Sequence, residues 1–535
     1  MTVIISNLAA TDTSCSGGSV RDRKWWALGG IALAVFAVGL DGTVLAVALP
    51  TLAPALHASA TDLVWFSSAY LLALAAAMLP IGVLGDRYGR RRVMLASLAV
   101  FGAASIYSAE STSAAVFIAA RALGGVAGAG VIVMALSAVT VLFTERERPR
   151  AVGIWAGVNF LALPAGPLLG GWLLTRFWWG WVFWINVPVV VLSLVVGVVL
   201  VPESRAPHRP RIDWVGIVGF SSGLVALVYG FVDAGSNGWI SISALGPMAA
   251  GVVLLVGFVR YEQRRAAQPG GEPLVDATLF RSRAFTWGIA LAAVSSLAMI
   301  GVLFAMPQYF QAVVGTDAIG SGLRLLPLIG GLVLGAPVAE PAARALGGRR
   351  VLSAGFVVLA AGLLLGSFTS VDTGGAFIAG WMAVTGLGLG LTLSTAASAA
   401  LAQLPPERSG VASALMQALQ EVGGPLGSAI LGSVSLAAYR AHLQLTGLPP
   451  ELAEKARGGV FDGTEAARRV RSDELLHNVH SAFAHGLSDA LLVSAGIAAV
   501  GGLIAALLFP GAEAGGTKET VRRPDIDTAA DAHAS

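Results

Sequence analysis

Fourteen long apolar stretches dominate this chain, and they leave very few folds open to it. They run approximately over 25–49, 63–84, 93–109, 114–142, 151–173, 181–201, 213–233, 241–259, 284–307, 320–340, 351–369, 374–402, 411–438 and 484–509. A helix needs about 20 largely apolar residues to cross a bilayer core. Inside lipid only helices and closed barrels satisfy every backbone N–H and C=O. Stretches of this length therefore read as membrane-spanning helices, and the expected fold class is an all-α integral membrane protein. Composition agrees: 56% of the 535 residues are apolar and 12% charged, against about a quarter charged in soluble domains. The first stretch is too long for a signal peptide and is followed by thirteen more. An even number places both termini on one side.

Charge selects the side. Of 34 basic residues, 25 fall in the N-terminal segment, the C-terminal segment and alternate connections. Seven lie in the opposite connections, six of them in the long 439–482 stretch, while Arg121 and Arg324 fall inside apolar segments. Short connections rich in arginine stay in the cytoplasm, so both termini are expected there and 439–482 outside. A formal charge of +3 gives no reason to expect a nucleic-acid partner. The single cysteine, Cys15, excludes an intrachain disulfide or a cysteine metal cluster. The arginine bias and the abundance of alanine and glycine suit a bacterial source.

Between the second and third stretches the chain reads Gly82-Val-Leu-Gly-Asp86-Arg87-Tyr-Gly89-Arg90-Arg91-Arg92. Five charges between two segments confined to lipid form a tight turn at the membrane surface. This run resembles the loop between the second and third helices of the major facilitator superfamily. Leu40-Asp41-Gly-Thr43-Val44 running to Ala48-Leu49-Pro50, Gly157 with Gly166-Pro167-Leu-Leu-Gly170-Gly171, and Trp181-Val-Phe183-Trp-Ile-Asn186-Val-Pro188 narrow the resemblance. It is to the fourteen-helix drug:proton antiporters of that superfamily, over residues 25–509. The resemblance implies two six-helix bundles plus two inserted helices. An internal echo supports this: Gly89-Arg-Arg-Arg-Val93 recurs as Gly347-Gly-Arg-Arg-Val351, and Gly166-Pro167 as Gly424-Pro425, both displaced by eight helices. A six-plus-six repeat with two extra helices produces that offset. The expected organisation is a tail at 1–24, bundles at 25–201 and 284–509, an insert at 213–259 and a disordered tail at 510–535.

Candidate site residues follow from charge in lipid. A carboxylate at mid-membrane costs roughly 2.5–3.5 kcal/mol even on a mild scale, so Asp41 is expected to face a cavity and to exchange protons. Arg121, at the head of the glycine run Gly124-Gly125-Val-Ala-Gly128, needs a carboxylate partner, with Asp41 the obvious one. Glu421 is a second acid inside a segment, either proton-carrying or satisfied by Gln417 or Gln420. The resemblance implies a gating role for Gly82, Asp86, Arg87, Gly89, Arg90 and Arg91, and a pivot at Gly157, Gly166, Pro167, Gly170 and Gly171. Glu340 pairs with Arg344 at a rim, and the charges of 439–482 keep that stretch solvated. His442, His477, His480 and His485 are not expected to hold a metal.

No Gly-Lys pair occurs, so no phosphate-binding loop powers the chain. The resemblance implies a non-enzymatic, monomeric, multi-pass exporter of the bacterial cytoplasmic membrane. It needs no cofactor, since the proton gradient drives it. Its partners are protons, lipid and a small lipophilic organic substrate, neutral or cationic. The alternatives are a dedicated exporter of one self-made antibiotic or metabolite and, from another class, a membrane enzyme or receptor.

Overall fold

Apolar segments separated by Gly, Pro and charged turns fold as a bundle of long helices. The computed structural model describes residues 17–144, 147–205, 213–268, 280, 282–402, 416–417, 419–445 and 448–510. The expected disordered tail, most of the N-terminal tail and residues 411–415 therefore lie outside the described residues. The first bundle comprises α1 (Gly17–Ala55), α2 (Ala60–Tyr88), α3 (Arg90–Ala109), α4 (Ala114–Leu142), α5 (Arg148–Arg176), the single turn α6 (Trp181–Trp184) and α7 (Asn186–Leu200). Next come α8 (Trp214–Asn237) and α9 (Ile242–Ala266). The second bundle comprises α10 (Arg283–Gln308) continued by a π turn (Tyr309–Val313), α11 (Ala318–Arg324), α12 (Leu326–Leu346), α13 (Gly348–Gly366), α14 (Gly375–Ala402), α15 (Gly423–His442), α16 (Pro450–Arg457), α17 (Val460–Val470) and α18 (Asp473–Leu508). Thirteen helical stretches among the described residues are long and apolar enough to cross a membrane. The 29-residue α5 occupies the remaining expected segment.

Three expectations need correction. The segment 181–201 breaks at Ile185 between α6 and α7, and 320–340 breaks at Leu325 between α11 and α12. The stretch 439–482 is no merely solvated loop. It begins inside α15 and ends inside α18, and its centre folds into α16 and α17. Val460, Ala466 and Ala467 of α17 are buried. The Tyr439 hydroxyl donates to the carbonyls of Ala456 and Gly459, and the Ala60 amide donates to the Gly458 carbonyl. Short amphipathic helices thus lie over the membrane end that bears the starts of α2 and α18, here termed the far face. The near face bears the start of α1.

Close approach of backbones holds the bundle together, as expected where lipid supplies no hydrophobic drive between helices. A Cβ at Gly125 of α4 would sit 2.2 Å from the Tyr70 carbonyl of α2. Gly166 and Gly170 admit Thr43 and Val44 of α1, and Gly423 and Gly427 admit the carbonyls of Ala293 and Leu297 of α10. The echoed helices α5 and α15 therefore each pack on the first helix of their own bundle, which gives the sequence echo a physical form. The near-face corners echo likewise. Gly89 and Gly347 take φ of +117° and +87°, which L side chains rarely adopt. Two residues on, Arg91 donates to the Val198 carbonyl and Arg349 to the Ala506 carbonyl, each two residues before its bundle's last helix ends.

The two bundles meet through α2 and α15, where the Ser68 and Ser428 hydroxyls lie 2.8 Å apart and fully buried. They meet again at the far face. There a Cβ at Gly171 of α5 would reach Ile319 Cα at 2.7 Å, and one at Gly322 would reach the Pro167 carbonyl at 2.5 Å. The Gln311 amide donates to the Val47 carbonyl at 3.0 Å. The inserted α8 packs on both α2 and α15, whereas α9 packs chiefly on α8. Asp213 caps α8 and joins the two. Burial would push its carboxyl up, but the Gly216 amide, the Tyr261 hydroxyl and Arg265 hold it below its ordinary value.

Gly427→Ala should lower stability by about 1–3 kcal/mol, since the new methyl meets backbone that cannot turn aside. Gly157→Ala should be neutral or slightly stabilising, because no atom lies within 4 Å of its Cβ position. Thermal unfolding of the purified variants reads both, and equal midpoints would refute the packing argument.

Candidate functional site

Asp41 stands about two-thirds of the way along α1, a position that a carboxylate occupies only with help. The help is Arg121 of α4, whose Nη1 lies 2.5 Å from Asp41 Oδ2. Both residues are 2% exposed. The pairing expected from their isolated charges is thus present. Around it the protein adds three further contacts. The Arg121 guanidinium stacks 4.2 Å from the centroid of the Tyr70 ring, on α2, and 5.6 Å from that of Phe183. Tyr70 is held in turn by its hydroxyl, which donates to the Val38 carbonyl at 3.0 Å. The other carboxylate oxygen, Asp41 Oδ1, accepts from Asn186 Nδ2 at 3.0 Å. Asn186 opens α7, is 1% exposed and reaches the Ser105 hydroxyl of α3 at 3.4 Å. Arg121 Nε has no hydrogen-bond partner.

This arrangement is a buried ion pair with one permanent and one removable charge. Arginine does not lose its proton in a protein, whereas a carboxylate can gain one and become neutral. Protonating Asp41 would release Arg121 to other acceptors, so the pair can couple proton binding to a shift of α4 against α1.

Glu421 lies immediately before α15 and is half-buried, and Gln417 Nε2 donates to its Oε1 at 3.0 Å. The expected glutamine partner is therefore Gln417. Tyr70 lies within electrostatic range of both the Asp41 and the Glu421 carboxylates.

The helix-pivot residues divide. Gly166 lies against Thr43, whose hydroxyl donates to the Ala162 carbonyl at 3.1 Å, while Gly170 lies on Val44. Gly171 and Pro167 meet α11. Gly157 touches nothing near its Cβ position. A cavity of about 40 Å³ between Val64, Phe304, Gln308 and Phe461 is too small for a drug-sized molecule.

The charged loop is tied to its own bundle. Asp86 and Arg90 pair at 2.8 Å. The Arg90 amide donates to the Ser204 carbonyl at 2.9 Å, and the Arg91 amide to Glu203 at 3.2 Å. Gly82 and Gly85 lie against Val133 and Met134 of α4. Nearby, Lys24 bonds Glu147 at 2.7 Å and holds that carboxyl below its ordinary value. Glu340 and Arg344 form the expected rim pair. His442 and His485 stack with centroids 4.7 Å apart. No group of three metal-binding side chains occurs among the described residues.

Asn186 is the site residue that sequence reasoning passed over. It stood within the Trp181–Pro188 run, and the signal was an amide in an apolar segment. A buried amide needs partners just as a buried charge does.

Two bundles related by an internal repeat, a mid-membrane ion pair and small-residue helix contacts define a transporter of the secondary type. The chain belongs to the Major Facilitator Superfamily, which matches residues 31–428. It is 34% identical over 506 residues to the tetracenomycin C resistance and export protein of Streptomyces glaucescens, covering 92% of this chain and 93% of the relative. It is 35% identical over 491 residues to the multidrug efflux pump LfrA of Mycolicibacterium smegmatis, covering 90% and 96%. The fold is that of a bacterial homologue of the human lysosomal transporter Spinster, with a TM-score of 0.63 at 16% identity, covering 91% of this chain and 98% of that one.

Removing one member of a buried pair costs about 3–5 kcal/mol when the survivor keeps its charge. Arg121 must keep its charge and Asp41 need not. Asp41→Asn should therefore lower the thermal midpoint more than Arg121→Gln does, with the double variant less damaged than the sum. Equal losses for both single variants would show that the pair is not desolvated.

Proposed function

We propose that this protein exports small lipophilic organic compounds, cationic ones among them, across the bacterial cytoplasmic membrane in exchange for protons. The observation that carries the reading is the desolvated Asp41–Arg121 pair at mid-membrane, in a chain whose relatives are antibiotic and multidrug exporters. The arginine-rich near face is cytoplasmic by its charge, and the closed contacts between α5 and α11 then shut the outward path. In this state the protein takes substrate from the inside. Asp41 receives a proton from outside when the far face opens and gives it up inside. The chain acts as a monomeric carrier rather than an enzyme, and the proton gradient replaces any cofactor.

Asp41→Asn keeps the side chain's shape but cannot cycle a proton. In proteoliposomes of the variant, shown folded by its size-exclusion profile, drug-driven proton movement should vanish, while Asp41→Glu keeps part of it. Coupling that persists in Asp41→Asn would sink the assignment.

Energy sets the role of the second acid. A potential of about 100 mV is worth roughly 2.3 kcal/mol per charge, and one pH unit about 1.4 kcal/mol. One proton exchanged for a neutral drug sustains a gradient of a few hundredfold at these values. Exchanged for a monovalent cation it moves no net charge and leaves about tenfold. A strong cation pump needs a second proton, and Glu421 is placed to carry it. In a growth-inhibition panel with a pump-deficient host, Glu421→Gln should spare neutral drugs and lose protection against cationic ones. Equal loss for both would mark a structural role, and wild-type protection confined to one compound would mark a dedicated exporter.

A further inference from the structure

Arg121 can serve only the accepting oxygens of Asp41. It donates five N–H groups and accepts nothing, so the O–H of a protonated carboxyl finds no acceptor in it. A primary amide differs. It donates through its nitrogen and accepts through its oxygen, and a turn about its last torsion exchanges the two. Asn186 is such an amide, 3.0 Å from Asp41 Oδ1 and 1% exposed, on a helix that carries neither Asp41 nor Arg121. Its second contact, the Ser105 hydroxyl at 3.4 Å, can also donate or accept, so it can bond whichever amide atom faces it when the amide turns.

We propose that Asn186 is a positioning residue that holds Asp41 through both protonation states, and that Oδ1, the oxygen it faces, is the one that takes the proton. Ionised Asp41 receives the Asn186 N–H at Oδ1 and Arg121 at Oδ2. When a proton arrives at Oδ1, the amide turns, its oxygen accepts the new O–H, and Arg121 exchanges a charged partner at Oδ2 for a neutral one and is held less tightly. No covalent bond other than the O–H forms or breaks. The charged and titratable groups facing this centre among the described residues are Arg121 of α4 and Tyr70 of α2, with Glu421 within electrostatic range of Tyr70. Arg121 keeps its charge throughout, so the pH response of the centre belongs to the carboxyls. The proposal rests on Asp41 being the coupling acid.

The test measures protons released per drug bound, as a function of pH, with a tetraphenylphosphonium or ethidium probe and detergent-purified full-length protein. Asn186→Leu keeps the branching of the amide and removes both of its hydrogen-bonding functions. The bond lost from the ionised form is charge-assisted and roughly twice as strong as the one lost from the protonated form, so the midpoint of proton release should move up by about one unit, a tenfold change in proton affinity. Efflux at neutral pH should fall about tenfold or more, while probe affinity at low pH stays within about threefold of the parent. Asn186→Ser, which retains a donor and an acceptor, should restore a midpoint near the parent's. It also supplies the readout if the leucine variant does not fold, since a hydroxyl that failed to restore the midpoint would refute the proposal. A parental midpoint in Asn186→Leu would overturn it equally. Asp41→Asn in the same assay separates the two claims. Proton release that survives there defeats the coupling role of Asp41 itself, whereas release lost there with an unmoved Asn186→Leu midpoint defeats only the role of Asn186.

Discussion

A salt bridge sealed from water organises this molecule. Two charges at mid-membrane would be prohibitive alone, and Asp41 and Arg121 are tolerable because each is the other's main partner. The requirement propagates outward. The guanidinium needs a polarizable face, which Tyr70 supplies, and Tyr70 can reach it only because α4 presents Gly125 and Gly128 where a larger residue would stand. The carboxylate's second oxygen needs a donor, so the start of α7 must approach α1 at Asn186. Much of what reads as a glycine-rich packing pattern is the scaffold that lets four helices converge on one pair of charges.

The near face shows how each bundle is kept stiff. Arg91 and Arg349 tie a glycine corner to the last helix of their own bundles, and Glu203 receives the Arg91 amide and Arg92. These bonds lie within bundles rather than between them. The bundles touch each other through neutral surfaces instead: backbone against glycine at α5 and α11, and hydroxyl against hydroxyl at α2 and α15. Strong directional bonds thus fix the parts that move as bodies, and weak contacts line the joint.

The sequence made the spanning helices legible because length and hydropathy alone determine them in lipid. The ion pair was legible for a related reason, since an aspartate and an arginine inside apolar segments must find partners. The breaks at Ile185 and Leu325 were not, because Asn186 and Arg324 interrupt the apolar run only singly and hydropathy does not register a change of helix axis. The helices α16 and α17 escaped notice because nearly half of their residues are polar and they are short. A few buried apolar positions, Ala456, Val460, Ala466 and Ala467, settle their docking. Asn186 was overlooked because an uncharged side chain in an apolar run does not announce how much its burial demands.

Ser68 and Ser428 hold one further consequence. Parting two buried hydroxyls ordinarily strands both, at a cost of about 1–3 kcal/mol for each group left dry and unpaired. Ser428 is insured against this, because its Oγ also lies 3.3 Å from the Pro425 carbonyl of its own helix. The bond across the seam can therefore lapse and re-form while this hydroxyl stays satisfied. A joint built in this way strands one hydroxyl, Ser68, where it would otherwise strand two, so about half as much energy is stored when it opens and regained when it closes. More of the work drawn from the proton gradient is then left for the cargo.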